Sequence, residues 1–145
     1  MHELVAQRLF ERDIAGLNGR TCKIRKWTLF SKEYPHLDIG FEAEDRKPLR
    51  LRLNCRDYDM SSPSIELMNW NGSFREEAIL SPTGIFHPGP HPHTGRIFVC
   101  MAGSREYHQH ESHVADSWFN YRRRDGFDIA GIVFQIWRGW VKGSE

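Results

Sequence analysis

Two runs of strict alternation meet across a short polar turn. HLDIGFEA (36–43) places Leu37, Ile39, Phe41 and Ala43 at every second position, and PLRLRLNC (48–55) does the same with Leu49, Leu51, Leu53 and Cys55. Successive side chains of a strand point to opposite faces, so each run has one apolar and one polar face. The arginines of the second run fall on its polar face. The turn at Glu44–Lys47 is short enough to predict an antiparallel hairpin. Such a sheet must bury its apolar face against another layer.

The flanking patterns supply that layer and extend the sheet. Val5, Leu9, Phe10, Ile14 and Leu17 recur at three- and four-residue steps and predict a helix over 3–17, stopped by Asn18-Gly19. TCKIRKWTLF (21–30) is rich in strand formers, and PSIELMN (63–69) predicts a strand with Ile65 and Leu67 inward. Prolines 82, 88, 90 and 92 with glycines 84, 89 and 95 exclude a long regular element there. A short helix is expected near Val114–Tyr121, capped by Ser112. A longer one follows, with Ile129, Ile132, Val133, Ile136, Trp137 and Trp140 on one face. The expected class is α+β: an N-terminal helix, a four-stranded antiparallel meander, an active-site loop and C-terminal helices. One domain is expected over residues 1–145.

Composition narrows the function. The net charge of +1 does not favour a nucleic-acid surface. No apolar run approaches the roughly 18 residues of a membrane span. The N-terminal segment MHELVAQRLFERD carries acids, unlike a secretion signal, so a cytoplasmic location is expected. Arg122-Arg123-Arg124 reads either as a solvated surface or as a docking patch for an acidic partner. Three cysteines without a secretion signal argue against a disulfide framework. Cys22 and Cys55 fall in alternating strand patterns and read as small core residues.

Cys100 has different company. Six of the eight histidines lie between His87 and His113, and Glu106 lies among them. A cysteine near bases and cations suits nucleophilic chemistry, because the thiolate is the reactive form. Cys, His and Glu also suit zinc, although C-x5-E-x-H-x-H-x2-H is not a strong zinc spacing. Histidines that merely hydrogen-bond a loop are the third possibility.

RLRLNCRDYDMSSPSIELMN (50–69) resembles the third and fourth strands of the ubiquitin-conjugating-enzyme (UBC) fold. Tyr58 and Pro63 stand in its tyrosine-proline turn, and Ile65 and Leu67 stand in the strand. HPHTGRIFVC (91–100) resembles the family's His-Pro-Asn motif and the catalytic cysteine that follows it: His91-Pro92, then Gly95, Ile97 and Cys100. Trp118 and the 129–140 helix match its later tryptophan and helices. Two departures stand out. His93 replaces the family's asparagine, and register on Gly95-Arg96-Ile97 puts Cys100 two residues beyond the family's cysteine. Separately, CMAGSREYHQHESH (100–113) resembles a bacterial predicted metal-binding family of the Cys-Glu-His-His type. Those genes accompany bacterial ubiquitin-like conjugation operons that serve in antiphage defence.

The UBC resemblance implies a carrier enzyme. Cys100 would accept a ubiquitin-like protein as a thioester from an activating enzyme and pass it to a lysine or other amine of a target protein. His93 or a backbone amide would serve the oxyanion, and Glu106, His108 or His113 the incoming amine. Arg8 and Arg12, on the exposed face of the first helix, would dock the activating enzyme. No cofactor, nucleic acid or membrane is expected in this reading. The second resemblance implies a zinc protein of the same pathway, with Cys100, Glu106, His108 and His113 as ligands. A third reading is a catalytically inactive UBC-like binding module.

Overall fold

The structure is a computed structural model, and it describes residues 2–142. Four strands form an antiparallel meander in the order β1-β2-β3-β4: β1 (Trp27–Glu33), β2 (His36–Ala43), β3 (Arg46–Asn54) and β4 (Ser64–Met68). Leu37 pairs with Leu53 and Phe41 with Leu49, so the apolar positions of both runs share one face, as the alternation predicts. Leu37, Ile39, Phe41, Leu49, Leu51 and Leu53 are fully buried, and Ile65 and Leu67 nearly so.

Two helices cover that face. α1 (Glu3–Ile14) buries Ala6, Phe10 and Ile14, and α4 (Ile129–Lys142) buries Ile129, Ile132, Val133, Ile136 and Trp140. These side chains belong to one hydrophobic cluster with the sheet. The N-terminal helix, the four-stranded sheet and the C-terminal helix are thus present in the predicted order. No helix among the described residues is long and apolar enough to cross a membrane.

Three local expectations differ. α1 ends at Ile14, and Val5 is largely exposed, so the buried stripe is narrower than the sequence spacing suggested. Asn18 starts a helix instead of stopping one: its side chain accepts from the Thr21 amide and caps α2 (Gly19–Arg25). Cys22 therefore sits on a helix, not a strand, although it is buried as expected. Cys22 and Ile24 alternate with Lys23 and Arg25 and so imitate a strand, but Ile24 points into solvent at 71% exposure. Ser112 caps nothing; a 3-10 turn at Trp118–Asn120, capped by Ser117, stands where a short helix was expected.

The sheet's other face is polar but not open. Arg50 grips Asp38 through two bonds of 2.7 and 2.8 Å, and its guanidinium lies 3.9 Å from the centre of the Phe30 ring. Trp70 packs edge-on against Phe30. Gly40 lies beneath both rings, where a Cβ would come within 2.4 Å of Trp70. Gly40→Ala is expected to cost about 1–3 kcal/mol through overpacking. Urea unfolding with an unchanged midpoint would show that Trp70 yields freely.

Candidate functional site

Cys100 leaves the sheet layer at the end of a small second sheet, β5 (Phe86–His87) paired with β6 (Phe98–Val99). Its amide donates to Ile85 O at 2.6 Å. It is half-buried, whereas Cys22 and Cys55 are buried, so it is the cysteine that solvent reaches. Burial pushes the Cys100 thiol up from its ordinary value. Burial acts alone here: no cation among the described residues draws the thiol back toward the thiolate.

The proline-rich loop before Cys100 is tied down by His91, which is only 1% exposed. His91 Nδ1 accepts from the His93 amide at 3.1 Å, and Nε2 donates to Glu106 O at 2.8 Å. A ring that accepts at one nitrogen and donates at the other is neutral, with its proton on Nε2. The loop closes further through His91 N to Arg96 O and Gly95 N to His91 O. His93 itself is exposed, and its ring lies 5.6 Å from that of His91.

After Cys100 the chain turns through Gly103, whose φ of +104° favours glycine. Ser104 then caps a short helix, α3 (Arg105–Gln109), by accepting from the Tyr107 amide. The next three residues have quite different duties. Glu106 is 4% exposed and faces the edge of β4, where it accepts from Ser64 Oγ at 2.6 Å and Ile65 N at 2.8 Å. Burial raises its carboxyl above the ordinary range, against the pull of those two bonds. His108 accepts from Gly103 N at 3.0 Å through Nε2 and donates to Asp116 O at 2.7 Å through Nδ1. Burial lowers its pKa, consistent with a neutral ring. Tyr107 donates to Asp116 Oδ2 at 2.6 Å and stacks on His113, with ring centres 4.2 Å apart.

Residues 91–143 match the Y4jH-like family (Y4jH family). The matched segment is less than half of the chain. It begins at His91 and takes in Cys100, α3 and His113. Among curated proteins nothing matches the chain.

The residues singled out from sequence divide accordingly. Glu106 and His108 are committed to Ser64, Ile65, Gly103 and Asp116, so they hold the Cys100 loop in place. His113 is half-buried against Tyr107, with no hydrogen bond to its ring nitrogens among the described residues. Cys100, Glu106, His108 and His113 do not converge: among the described residues no group of three or more His, Cys, Asp or Glu is placed to hold a metal ion. Arg8 is exposed on α1, while Arg12 binds Asp13 at 2.8 Å. Much of the basic run is spent internally. Arg122 and Arg123 both flank Asp59, which is 2% exposed, at 3.8 and 3.0 Å. Sequence reasoning missed Asp116 and took His91 only as part of a motif. No spacing marks Asp116; the one hint was a carboxylate lying between two tyrosines, Tyr107 and Tyr121.

Proposed function

We propose that this protein is a carrier enzyme of a bacterial ubiquitin-like conjugation system, with Cys100 as the thioester-forming residue. The observation that supports it is the placement of Cys100. The accessible cysteine follows a pinned His-Pro loop, at the end of a strand beside a helix-covered meander. The UBC resemblance led to that arrangement being expected.

The chemistry needs no cofactor in this reading. Cys100 Sγ attacks the acyl carbon of a thioester on the activating enzyme. The new S–C bond forms, the old one breaks, and the proton from Cys100 ends on the departing thiol. In the second step an amine of the target attacks the same carbon. The N–C bond forms, the C–Sγ bond breaks, and the amine proton returns to Sγ. A thiol held protonated leaves a proton to be taken up during attack. Of Glu106, His108 and His113, only His113 has ring nitrogens free of hydrogen bonds among the described residues, so that duty is assigned to it. A thiol held without a neighbouring cation also reacts sparingly with stray electrophiles. His93 or a backbone amide of the loop would serve the oxyanion. Arg8, exposed on α1, is the better of the two docking arginines, since Arg12 is paired. An antiphage role follows only from the operon association of the resembling family.

The test is direct. The purified protein is mixed with its operon's activating enzyme, ATP and ubiquitin-like protein. A thiol-sensitive adduct is expected, and Cys100→Ser should abolish that sensitivity or the adduct itself. No adduct, with one equivalent of zinc by elemental analysis, would favour the metal reading. No adduct but binding of the ubiquitin-like protein would favour an inactive module.

A further inference from the structure

The segment between α3 and the Trp118 turn has no regular structure, yet one residue holds it from several sides. Asp116 Oδ2 receives two phenol hydrogen bonds, from Tyr107 and Tyr121, each 2.6 Å long. Its carbonyl receives His108 Nδ1, and its amide donates to His113 O at 2.9 Å. Tyr107 in turn stacks on His113, the two ring planes only 15° apart.

These contacts close a triangle. Asp116 holds Tyr107 through its carboxylate and His113 through the main chain, and Tyr107 meets His113 face to face. A side chain so placed does more than cap a loop, because it holds both partners of the Tyr107–His113 stack. One charge-assisted hydrogen bond anchors the Tyr107 hydroxyl, and a second, from Tyr121, holds the same carboxylate oxygen from the other side. The two phenols hold the Asp116 carboxyl below its usual range, so the acceptor stays charged at neutral pH.

We propose that Asp116 is a positioning residue: its carboxylate sets the Tyr107 ring, and through that ring the His113 imidazole. It touches no reacting atom itself. The catalytic consequence rests on the carrier reading above, but the positioning does not. Removing the carboxylate frees Tyr107 and lets His113 swing, whereas an asparagine keeps one oxygen for the phenols. Displacement of a proton-transfer group by even an ångström slows chemistry severely.

Two measurements on the full chain test this. The first is the NMR shift of the His113 ring protons, which the stacked Tyr107 ring moves upfield. Asp116→Ala is expected to return them toward the position of a free histidine, and Asp116→Asn to leave them displaced. Tyr107→Phe, which keeps the ring but loses the hydroxyl, should behave like Asp116→Ala. The second is single-turnover discharge of the Cys100 adduct to a small amine. Asp116→Ala should slow it on the order of tenfold, with Asp116→Asn within about threefold of the native rate. His113 shifts that stay put in Asp116→Ala would overturn the proposal. So would an asparagine variant as impaired as the alanine, while shifts that move with discharge staying native would overturn the catalytic consequence alone. If the native protein forms no adduct, the carrier reading fails, and the NMR result alone decides whether Asp116 positions His113.

Discussion

Tyr58→Ala should lower the unfolding free energy by about 3–5 kcal/mol, as truncation of a buried aromatic does. The ring is 2% exposed and belongs to the core cluster, while its hydroxyl donates to the buried carboxylate of Asp13 on α1. One side chain thus serves both packing and a tie between the β3–β4 connection and α1. Tyr58→Phe separates the two roles. It keeps the ring and removes one donor from an acid that Arg12 still contacts, so its cost should be smaller, about 1–2 kcal/mol. Chemical denaturation of both variants checks this. An alanine variant no worse than the phenylalanine one would mean that the ring contributes nothing, against its burial.

Glu106→Ala is expected to cost about 3 kcal/mol, because it strands the Ile65 amide and the Ser64 hydroxyl against β4 without an acceptor. Glu106→Gln should behave differently. Its carbonyl oxygen can take the Ile65 N–H, and the Ser64 hydroxyl can turn to accept from the amide. It also removes a buried charge. Burial raises the Glu106 carboxyl in the folded state, so folding favours its protonated form. The resulting stabilisation is complete below the ordinary carboxylate pKa and is lost as pH rises through the raised value. Urea midpoints followed upward from acid should therefore show a decline in the native protein that Glu106→Gln flattens. An identical pH profile in the two proteins would mean that Glu106 does not titrate against folding. At neutral pH the glutamine variant should be at least as stable as the native protein, and the alanine variant clearly less.

Much of the architecture could be read from the chain because it depends on period. Leu37 through Leu53 alternate, Ile129 through Trp140 recur every turn, and burial follows those spacings directly. α2 was misread because Cys22 and Ile24 alternate with Lys23 and Arg25; the cap at Asn18 was the better signal, and it is local. The candidate site was only half legible. The accessibility of Cys100 agrees with its place after a loop rich in proline and glycine. The duties of Glu106 and His108 were not legible, because their partners come from β4, from Gly103 and from Asp116, and a sequence does not show which distant atoms will meet. A histidine that donates at one nitrogen and accepts at the other looks the same on paper as one free to move protons.

The bond from Glu106 to the Ile65 amide also matters for how the molecule keeps to itself. β4 is an outer strand of the meander, and an outer strand offers its main chain to any passing one. Here that margin is occupied: Arg105 N reaches Pro63 O, Glu106 takes Ile65 N, and Arg75 N reaches Leu67 O. Each covers a position where a second chain would otherwise begin to pair. The helix that holds the Cys100 loop therefore also serves as a selvedge, finishing the fabric of the sheet so that it does not knit onto its neighbours.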